Sequence, residues 1–451
     1  MRLFVAMTPT PTRVAPAKMR RRGASWLWLT LFTFLGLGSA AAGAGLAIFL
    51  QGAPLQQRWL SQEEAKTFFG EPLAKGFFGV PQLSRPVNIL FLGIKVLALD
   101  PQAGFQKRVN DFEGLTDTMI LARFDPVTDT VTAISLPRDT QVLIKSDPYS
   151  KLNEANAKGG PALAAETVST LMGGVPIDRY VRVNPMGVEA LVDALGGITV
   201  NVPKDLKYQD DSQHLYINLK AGLQKLNGKQ ALHFLLFRQD GLGDIGRIQR
   251  QQIFMRAFQE QALTPQNLTR LPQIFAVIKQ YVDTNLTGEE LLALARFAQE
   301  TSREKFQMIL LPGQFGAAGR LASYWIPDPT RIQMVAVQHF GLAAAELTPR
   351  EISLAQIEVV LQDSTGEPGT VTAVTEHLLK AGYQRLYREV PWHETLNQTV
   401  IIAQQGNVQA AQAVRSALGF GEVRVDSTGV LNSDVTVRIG RDWRFHLAPG
   451  N

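Results

Sequence analysis

The stretch WLWLTLFTFLGLGSAAAGAGLAIFL, Trp26 to Leu50, carries no charged side chain in 25 residues. As one α-helix it would reach roughly 37 Å, enough to cross a hydrocarbon core of about 30 Å. Trp26 and Trp28 stand at its start, where interfacial rings belong. Such a segment cannot lie on a water-exposed surface, so it divides the chain. Ahead of it, residues 1–25 form a basic tail. That polarity predicts a cytoplasmic N-terminus and an extracytoplasmic body, single-pass in a bacterial plasma membrane. The competing reading is a cleaved signal peptide, with its cleavage region among the small residues after Gly38. Apolar character continues through Leu46 to Leu50 and favours the uncleaved anchor.

The sequence pI of about 9.3 suggests a partner such as nucleic acid. The position of the charge argues otherwise. Arg2, Arg13, Lys18, Arg20, Arg21 and Arg22 precede the apolar stretch, and no acid occurs before Glu63. Setting those six aside leaves 39 of the 45 basic residues against 40 acidic ones. The body is close to neutral, so no nucleic-acid partner is expected. There is no cysteine, so stability must come from core burial rather than disulfides.

With 451 residues the chain exceeds one compact core. Residues 51–84 read as a membrane-proximal connector. VNILFLGI (87–94) is a continuous apolar strand, TMILARFDP (118–126) and TVTAISLP (130–137) form a hairpin, and GGPALAAETVSTLMG (159–173) is a helix. Strands IDRYVRV (177–183) and GITVNVP (197–203) flank a helix near 185–195. QALHFLLFR (230–238) and GDIGRIQRQQIFMRAFQEQAL (243–263) are helical, with one or two further helices over 266–300. The alternation predicts an α/β/α core with a mixed central sheet over 85–345. From Ile352 a second strand–helix–strand–helix–strand pattern runs to 446 and predicts a small α/β domain. Its STGEPG turn lacks the Lys and Ser/Thr of a phosphate loop and reads as structural.

On a helix, Asp244, Arg247 and Gln251 fall within about 60° of arc, with Arg250 about 100° further round. One face thus presents a carboxylate, a guanidinium and an amide. Asp244 and Arg247, three apart, would equally make a surface pair. Other polar residues stand at strand ends: Arg138-Asp139 after an apolar strand, Asp117 opening another, Arg238 after HFLLF. Loops at strand ends carry binding groups in α/β folds. Arginines from three segments would suit a phosphate-bearing anion, because the guanidinium fork binds it bidentately. A nearby aspartate would suit Mg2+.

These residues carry a resemblance. NILFLGI (88–94), TDTMILARFDP (116–126), SLPRDTQV (135–142), KLNEANAKGGP (151–161), VDALGGITVNVP (192–203), LNGKQALHF (226–234) and GDIGRIQRQQ (243–252) resemble, in order, motifs of the LytR–CpsA–Psr family of bacterial cell-envelope transferases. The likeness covers about 85–265, and 355–442 resembles the LytR C-terminal domain often appended to it. The resemblance implies an apolar pocket for a polyprenyl chain and transfer of a glycopolymer from a polyprenyl-diphosphate carrier to a cell-wall acceptor such as peptidoglycan. It implies Asp117 at Mg2+; Arg138, Arg238, Arg247 and Gln251 at the diphosphate, with Lys151 and Asn153 beside them; and Asp244, with Arg138 and Arg247, in catalysis.

The chain departs from the family pattern at three points. Lys95 stands where members usually carry an aspartate after the LG of the first strand. Leu115 stands where an arginine often precedes the TDT motif. Leu236 replaces the first arginine of an R-x-R pair whose second is Arg238. Lys95 is therefore a candidate to supply the charge of a missing magnesium. The departures keep two alternatives open: a non-catalytic polyprenyl-phosphate-binding or scaffolding protein, and a polyprenyl-diphosphate pyrophosphatase.

Overall fold

The computed structural model describes residues 62–447, apart from 69–70, 78–79, 96–111, 212–214, 238–243, 263–266, 268–269, 317–322, 344–352, 393, 427 and 431–432. The basic tail and the apolar stretch of residues 26–50 lie outside the described residues. Among those described, no helix is long and apolar enough to cross a membrane.

In chain order the first elements are α1 (Gln62–Ala65), β1 (Ala74–Phe77), β2 (Val80–Leu83), β3 (Val87–Ile94), β4 (Thr116–Asp125), β5 (Thr130–Ser135), β6 (Gln141–Ile144), β7 (Asp147–Lys151) and α2 (Glu154–Leu171). There follow β8 (Arg179–Val183), α3 (Pro185–Ala194), β9 (Ile198–Val202), β10 (Leu206–Asp210), β11 (Leu215–Leu219), β12 (Gly222–Leu226), α4 (Gly228–Leu236) and α5 (Asp244–Ala262). Then come α6 (Leu271–Tyr281), β13 (Val282–Thr284), α7 (Gly288–Glu300), β14 (Phe306–Leu310), β15 (Gly313–Phe315), β16 (Trp325–Pro327) and α8 (Pro329–His339). The chain closes with β17 (Glu358–Asp363), α9 (Thr370–Lys380), β18 (Arg385–Arg388), β19 (Val400–Ile402), α10 (Val408–Leu418), β20 (Glu422–Arg424), β21 (Val435–Ile439) and α11 (Trp443–Leu447).

The central sheet runs β13-β8-β3-β4-β5-β14. It is mixed: β3 pairs parallel with β8 and antiparallel with β4, and β5 pairs parallel with β14. β3 shows why the run VNILFLGI is apolar throughout. Its alternate residues Leu90 and Leu92 enter a core with Val168 of α2 and Ile309, whereas Ile89 enters one with Leu286 and Leu294 of α7. A strand covered on both faces has no polar side to show. The stretch expected as a connector holds the β1–β2 hairpin, and Leu73 just ahead of it joins the core beside α7.

α2 begins before the expected helix and bends where Gly159 and Gly160 leave helical geometry, Gly160 at φ +67°; Pro161 then opens the second segment. α4 starts at a capping box in which Asn227 accepts from the Gln230 backbone and the Gln230 side chain accepts from the Asn227 backbone. β9–β12, α4 and α5 share a further core around Val200, Phe234 and Phe254.

The C-terminal sheet runs β18-β17-β21-β19-β20 over its own core. It meets the edge of the central sheet. Leu310 N donates to Gln404 O at 2.9 Å, Arg331 pairs with Asp434 at 2.7 Å, and Val425 packs on the main core. His339, at the end of α8, lies on this seam. Burial pulls its imidazole below the ordinary value of 6.5, and a hydrogen bond with the Gly406 backbone offsets part of that. A folded-state pKa below the unfolded one means stability is lost as pH falls below 6.5. The melting temperature is therefore expected to drop as pH falls below about 6.5, and to drop less in His339→Gln. Equal pH slopes for wild type and variant in a melting series would contradict this.

Candidate functional site

The site begins with an irregularity in the sheet. β3 and β4 pair Gly93 with Thr118 but Ile94 with Thr116, so the register slips by one and Asp117 has no residue opposite. Such a bulge re-aims a side chain. Gly93 belongs to the same device: a Cβ there would meet Thr118 Cβ at 3.1 Å. The close approach leaves Thr118 Oγ1 to accept from Gln251 Nε2 of α5 at 2.7 Å.

Arg138 leaves the end of β5 and turns back to the bulge. Its Nη1 donates to Asp117 Oδ1 at 2.7 Å, and its Nε to Asp139 Oδ2 at 3.3 Å. Arg247 Nη1 of α5, almost wholly buried, stands 3.7 Å from the same Asp117 oxygen. Lys151 Nζ, at the end of β7, pairs with Asp139 Oδ1 at 2.8 Å. Asn153 contributes backbone. Its N–H donates to Arg138 O at 3.1 Å and its carbonyl accepts from Thr116 N at 3.2 Å, tying the exit of β5 to the entry of β4. The Asn153 side-chain oxygen is buried with no hydrogen-bond partner.

Asp117, Arg138, Arg247, Gln251, Lys151 and Asn153 are thus brought together from β4, β5, β7, the start of α2, and α5. Arg238 lies outside the described residues. Asp244 opens α5, and its side chain is likewise not described. Lys95 follows β3, and its N–H donates to Leu115 O at 2.7 Å, so its backbone extends the end of the β3–β4 ladder two residues before Asp117. Leu236 is the last residue of α4 and is half-buried.

Arg250 faces the other way. Fully buried, it donates to the Phe234 carbonyl at 3.2 Å and to that of Phe237, with its guanidinium 5.2 Å from the Phe237 ring centre. It fastens α5 to α4, which leaves Arg247 and Gln251 to the site. Asp139 was named from sequence only as the neighbour of Arg138 at a strand end, with no role given, and Thr118 was not singled out. The STGEPG turn closes on itself, with Thr365 N and Oγ1 both donating to Asp363 Oδ1 at 2.8 Å.

Among these groups two carboxylates face two guanidiniums and one ammonium. The cluster is cationic by one charge, and each guanidinium is a fork. It would hold an anion with several oxygens, the guanidiniums passing from carboxylate to ligand. Among the described residues no three His, Asp or Glu side chains come together.

The model of the LytR_cpsA_psr family matches residues 59–340. A second, described as LytR cell envelope-related transcriptional attenuator, matches residues 356–443. The chain is 31% identical over 264 residues to the polyisoprenyl-teichoic acid–peptidoglycan teichoic acid transferase TagV of Bacillus subtilis, covering 57% of this chain and 64% of that protein. It therefore spans less than two thirds of that relative's length. It is 32% identical over 251 residues to the enzyme TagU of Bacillus cereus, with the same descriptive name, covering 55% and 76%. Among solved structures, protein gbs0355 from Streptococcus agalactiae aligns with a TM-score of 0.50 and 25% identity, over 58% of this chain and 90% of that one.

Proposed function

The chain belongs to the LytR–CpsA–Psr family, and from that premise we propose that it is a phosphotransferase of the cell envelope. It moves a glycopolymer from a polyprenyl-diphosphate carrier to peptidoglycan or another wall acceptor. The observation that carries this reading is the convergence of Arg138, Arg247 and Gln251 around Asp117 at the β4 bulge. Names of the relatives point the same way, since TagV and TagU are called teichoic acid transferases.

In the reaction, an acceptor hydroxyl attacks the phosphorus nearest the sugar. A new O–P bond forms, the anhydride P–O bond breaks, and polyprenyl phosphate leaves with the bridging oxygen. Arg138 and Arg247 neutralise charge developing on the phosphate oxygens, the main contribution a protein makes to such transfers. Gln251, with Lys151 at the rim and Arg238 beyond the described residues, orients the diphosphate. Asp244 takes the proton of the attacking hydroxyl. The Trp26–Leu50 stretch anchors the chain with its N-terminus in the cytoplasm, so the site works on the outer side of the plasma membrane.

Magnesium fits these residues poorly. Asp117 is the only carboxylate of the expected pair, and its Oδ1 is engaged by Arg138 and faced by Arg247. Lys95 stands in place of the other carboxylate, so no step here runs through a metal. Lys95 supplies positive charge instead. Transfer is expected to persist in chelator with Lys95 present and to be lost in Lys95→Ala. Strict dependence on added Mg2+ would overturn this part of the reading.

The reading as a whole is tested by extracting the purified full-length chain with organic solvent and searching by mass spectrometry for a polyprenyl phosphate or diphosphate. Bound lipid is the expected result. No lipid, even after addition of polyprenyl diphosphate, would defeat the proposal. A non-catalytic holder has one observation in its favour, the loss of charged family residues at Lys95 and Leu236. It would retain the lipid yet give no acceptor-dependent product.

A further inference from the structure

Beside the clamp lies a small sheet with two unlike faces. β6 and β7 pair antiparallel, and Thr140, just before β6, bridges to Trp325 of β16, whose N–H donates to Asp139 O at 2.9 Å. On the inner face Val142, Ile144, Leu152 and Trp325 join the main core. The outer face presents Gln141, Leu143, Tyr149, Lys151 and Tyr324. Leu143 is 66% exposed and Tyr149 42%. Alternation puts Gln141 and Leu143 on one side of β6 and Tyr149 and Lys151 on one side of β7, and the extra residue of the pairing lies on β7, where Pro148 and Tyr149 stand opposite Leu143. The outer groups are tied together. Tyr324 Oη donates to Tyr149 O at 2.8 Å, and Lys151 Nζ sits 5.0 Å from the Tyr324 ring centre while donating to Ser323 O at 3.1 Å.

We infer that this face is the binding shelf for the acceptor glycan, a neutral β-linked N-acetylhexosamine strand. The inference rests on the transferase reading and names where that reaction's second substrate lies. Three observations carry it. Aromatic and aliphatic side chains exposed together mark an interaction surface. Pyranose rings offer flat C–H faces that pack on the electron-rich face of tyrosine, while the Gln141 amide and Lys151 ammonium offer donors for hydroxyl and acetamido oxygens. Of the five residues only Lys151 is charged, which suits a neutral polymer and gives little hold on a polyanion or an anionic membrane. Finally, the shelf is continuous with the clamp. Lys151 pairs with Asp139, Asp139 with Arg138, and Arg138 with Asp117. A glycan lying on the tyrosines is held next to the arginines that hold the phosphorus, where its hydroxyl must be delivered.

The test titrates the full-length chain in detergent with uncharged β-linked N-acetylglucosamine oligosaccharides and, separately, with polyprenyl diphosphate. Tyr149→Ala and Tyr324→Ala are each expected to weaken glycan binding by about fivefold or more, the size of a lost aromatic contact. Tyr149→Phe and Tyr324→Phe keep the ring and are expected to stay within about twofold of wild type. All four are expected to bind polyprenyl diphosphate like wild type. Glycan affinity unchanged in the alanine variants overturns the shelf. So does a wild-type chain that binds the lipid but no glycan, and that result leaves the proposed function standing. Loss of both ligands in the alanine variants also overturns it, since the tyrosines then merely support the clamp. Glycan binding that needs the tyrosines, in a chain that never binds the lipid, upholds the shelf and fails the transferase reading.

Discussion

Replacing Arg138 by alanine is expected to lower affinity for polyprenyl diphosphate by roughly 10- to 100-fold, because a hydrogen bond to a charged group is worth about 1.5–3 kcal/mol. Arg247→Ala should fall in the same range. Its effect should come with a smaller change in stability than its burial suggests, because Arg250, not Arg247, holds α5 against α4. Loss of Arg138 has a second consequence: Asp117 and Asp139 both lose a cation that now touches them. Their charge then repels the incoming diphosphate. Arg138→Lys keeps the charge but not the fork, so it should restore only part of the affinity. Asp117→Asn separates the roles. It removes an anion that competes for the same guanidiniums and should tighten lipid binding, while its effect on turnover reports whatever else Asp117 does. Equilibrium binding of a fluorescent polyprenyl diphosphate to the full chain measures all four. Affinity unchanged in both arginine-to-alanine variants would contradict the clamp.

Arg182→Met should cost the fold about 3–5 kcal/mol, the range for breaking a buried ion pair by removing one partner. Arg182 is fully buried in β8, directly across from Asp283 of β13. Its Nε donates to Asp283 Oδ2 at 2.7 Å, and Nη1 donates to Phe112 O at 3.0 Å and Asn156 Oδ1 at 3.3 Å. The guanidinium lies 5.5 Å from the Phe112 ring centre and 5.8 Å from that of Tyr180. Methionine leaves the Asp283 carboxylate buried without its cation. For a protein of this size the loss corresponds to a fall in melting temperature of about 5 °C. The double variant Arg182→Met with Asp283→Leu removes both charges and should recover at least half of that fall. Calorimetry of the three proteins decides: a single variant melting within about 2 °C of wild type would show that the pair contributes little.

Elements that owe their identity to local pattern were legible before folding. β3, the β4–β5 hairpin, α3 and α5 follow from apolar periodicity and turn residues close to their observed bounds. β13, β18 and β20 were not. Each has three or four residues, too few to carry a period, and each is a strand only because a sheet edge receives it. The site divides in the same way. Arg247 and Gln251 share a face because helix geometry puts them there. The meeting of that face with Asp117 and Arg138 depends on the bulge opposite Gly93, which no local pattern announces. The Arg182–Asp283 pair also needs the β8–β13 register, about a hundred residues apart in sequence. The resemblance stood in for those long-range contacts, since family motifs that occur in order along a chain carry a fold's register with them.

Transfer to the wall is read by following the phosphorus. A polyprenyl-diphosphate-linked glycopolymer, labelled at the phosphorus nearest the sugar, is incubated with the full-length chain and peptidoglycan. The account predicts label joined to peptidoglycan as a phosphodiester, with release of unlabelled polyprenyl monophosphate, and neither product with Arg138→Ala. Label appearing instead on free glycopolymer phosphate at the same rate with and without peptidoglycan would contradict it, and would make the clamp that of a pyrophosphatase.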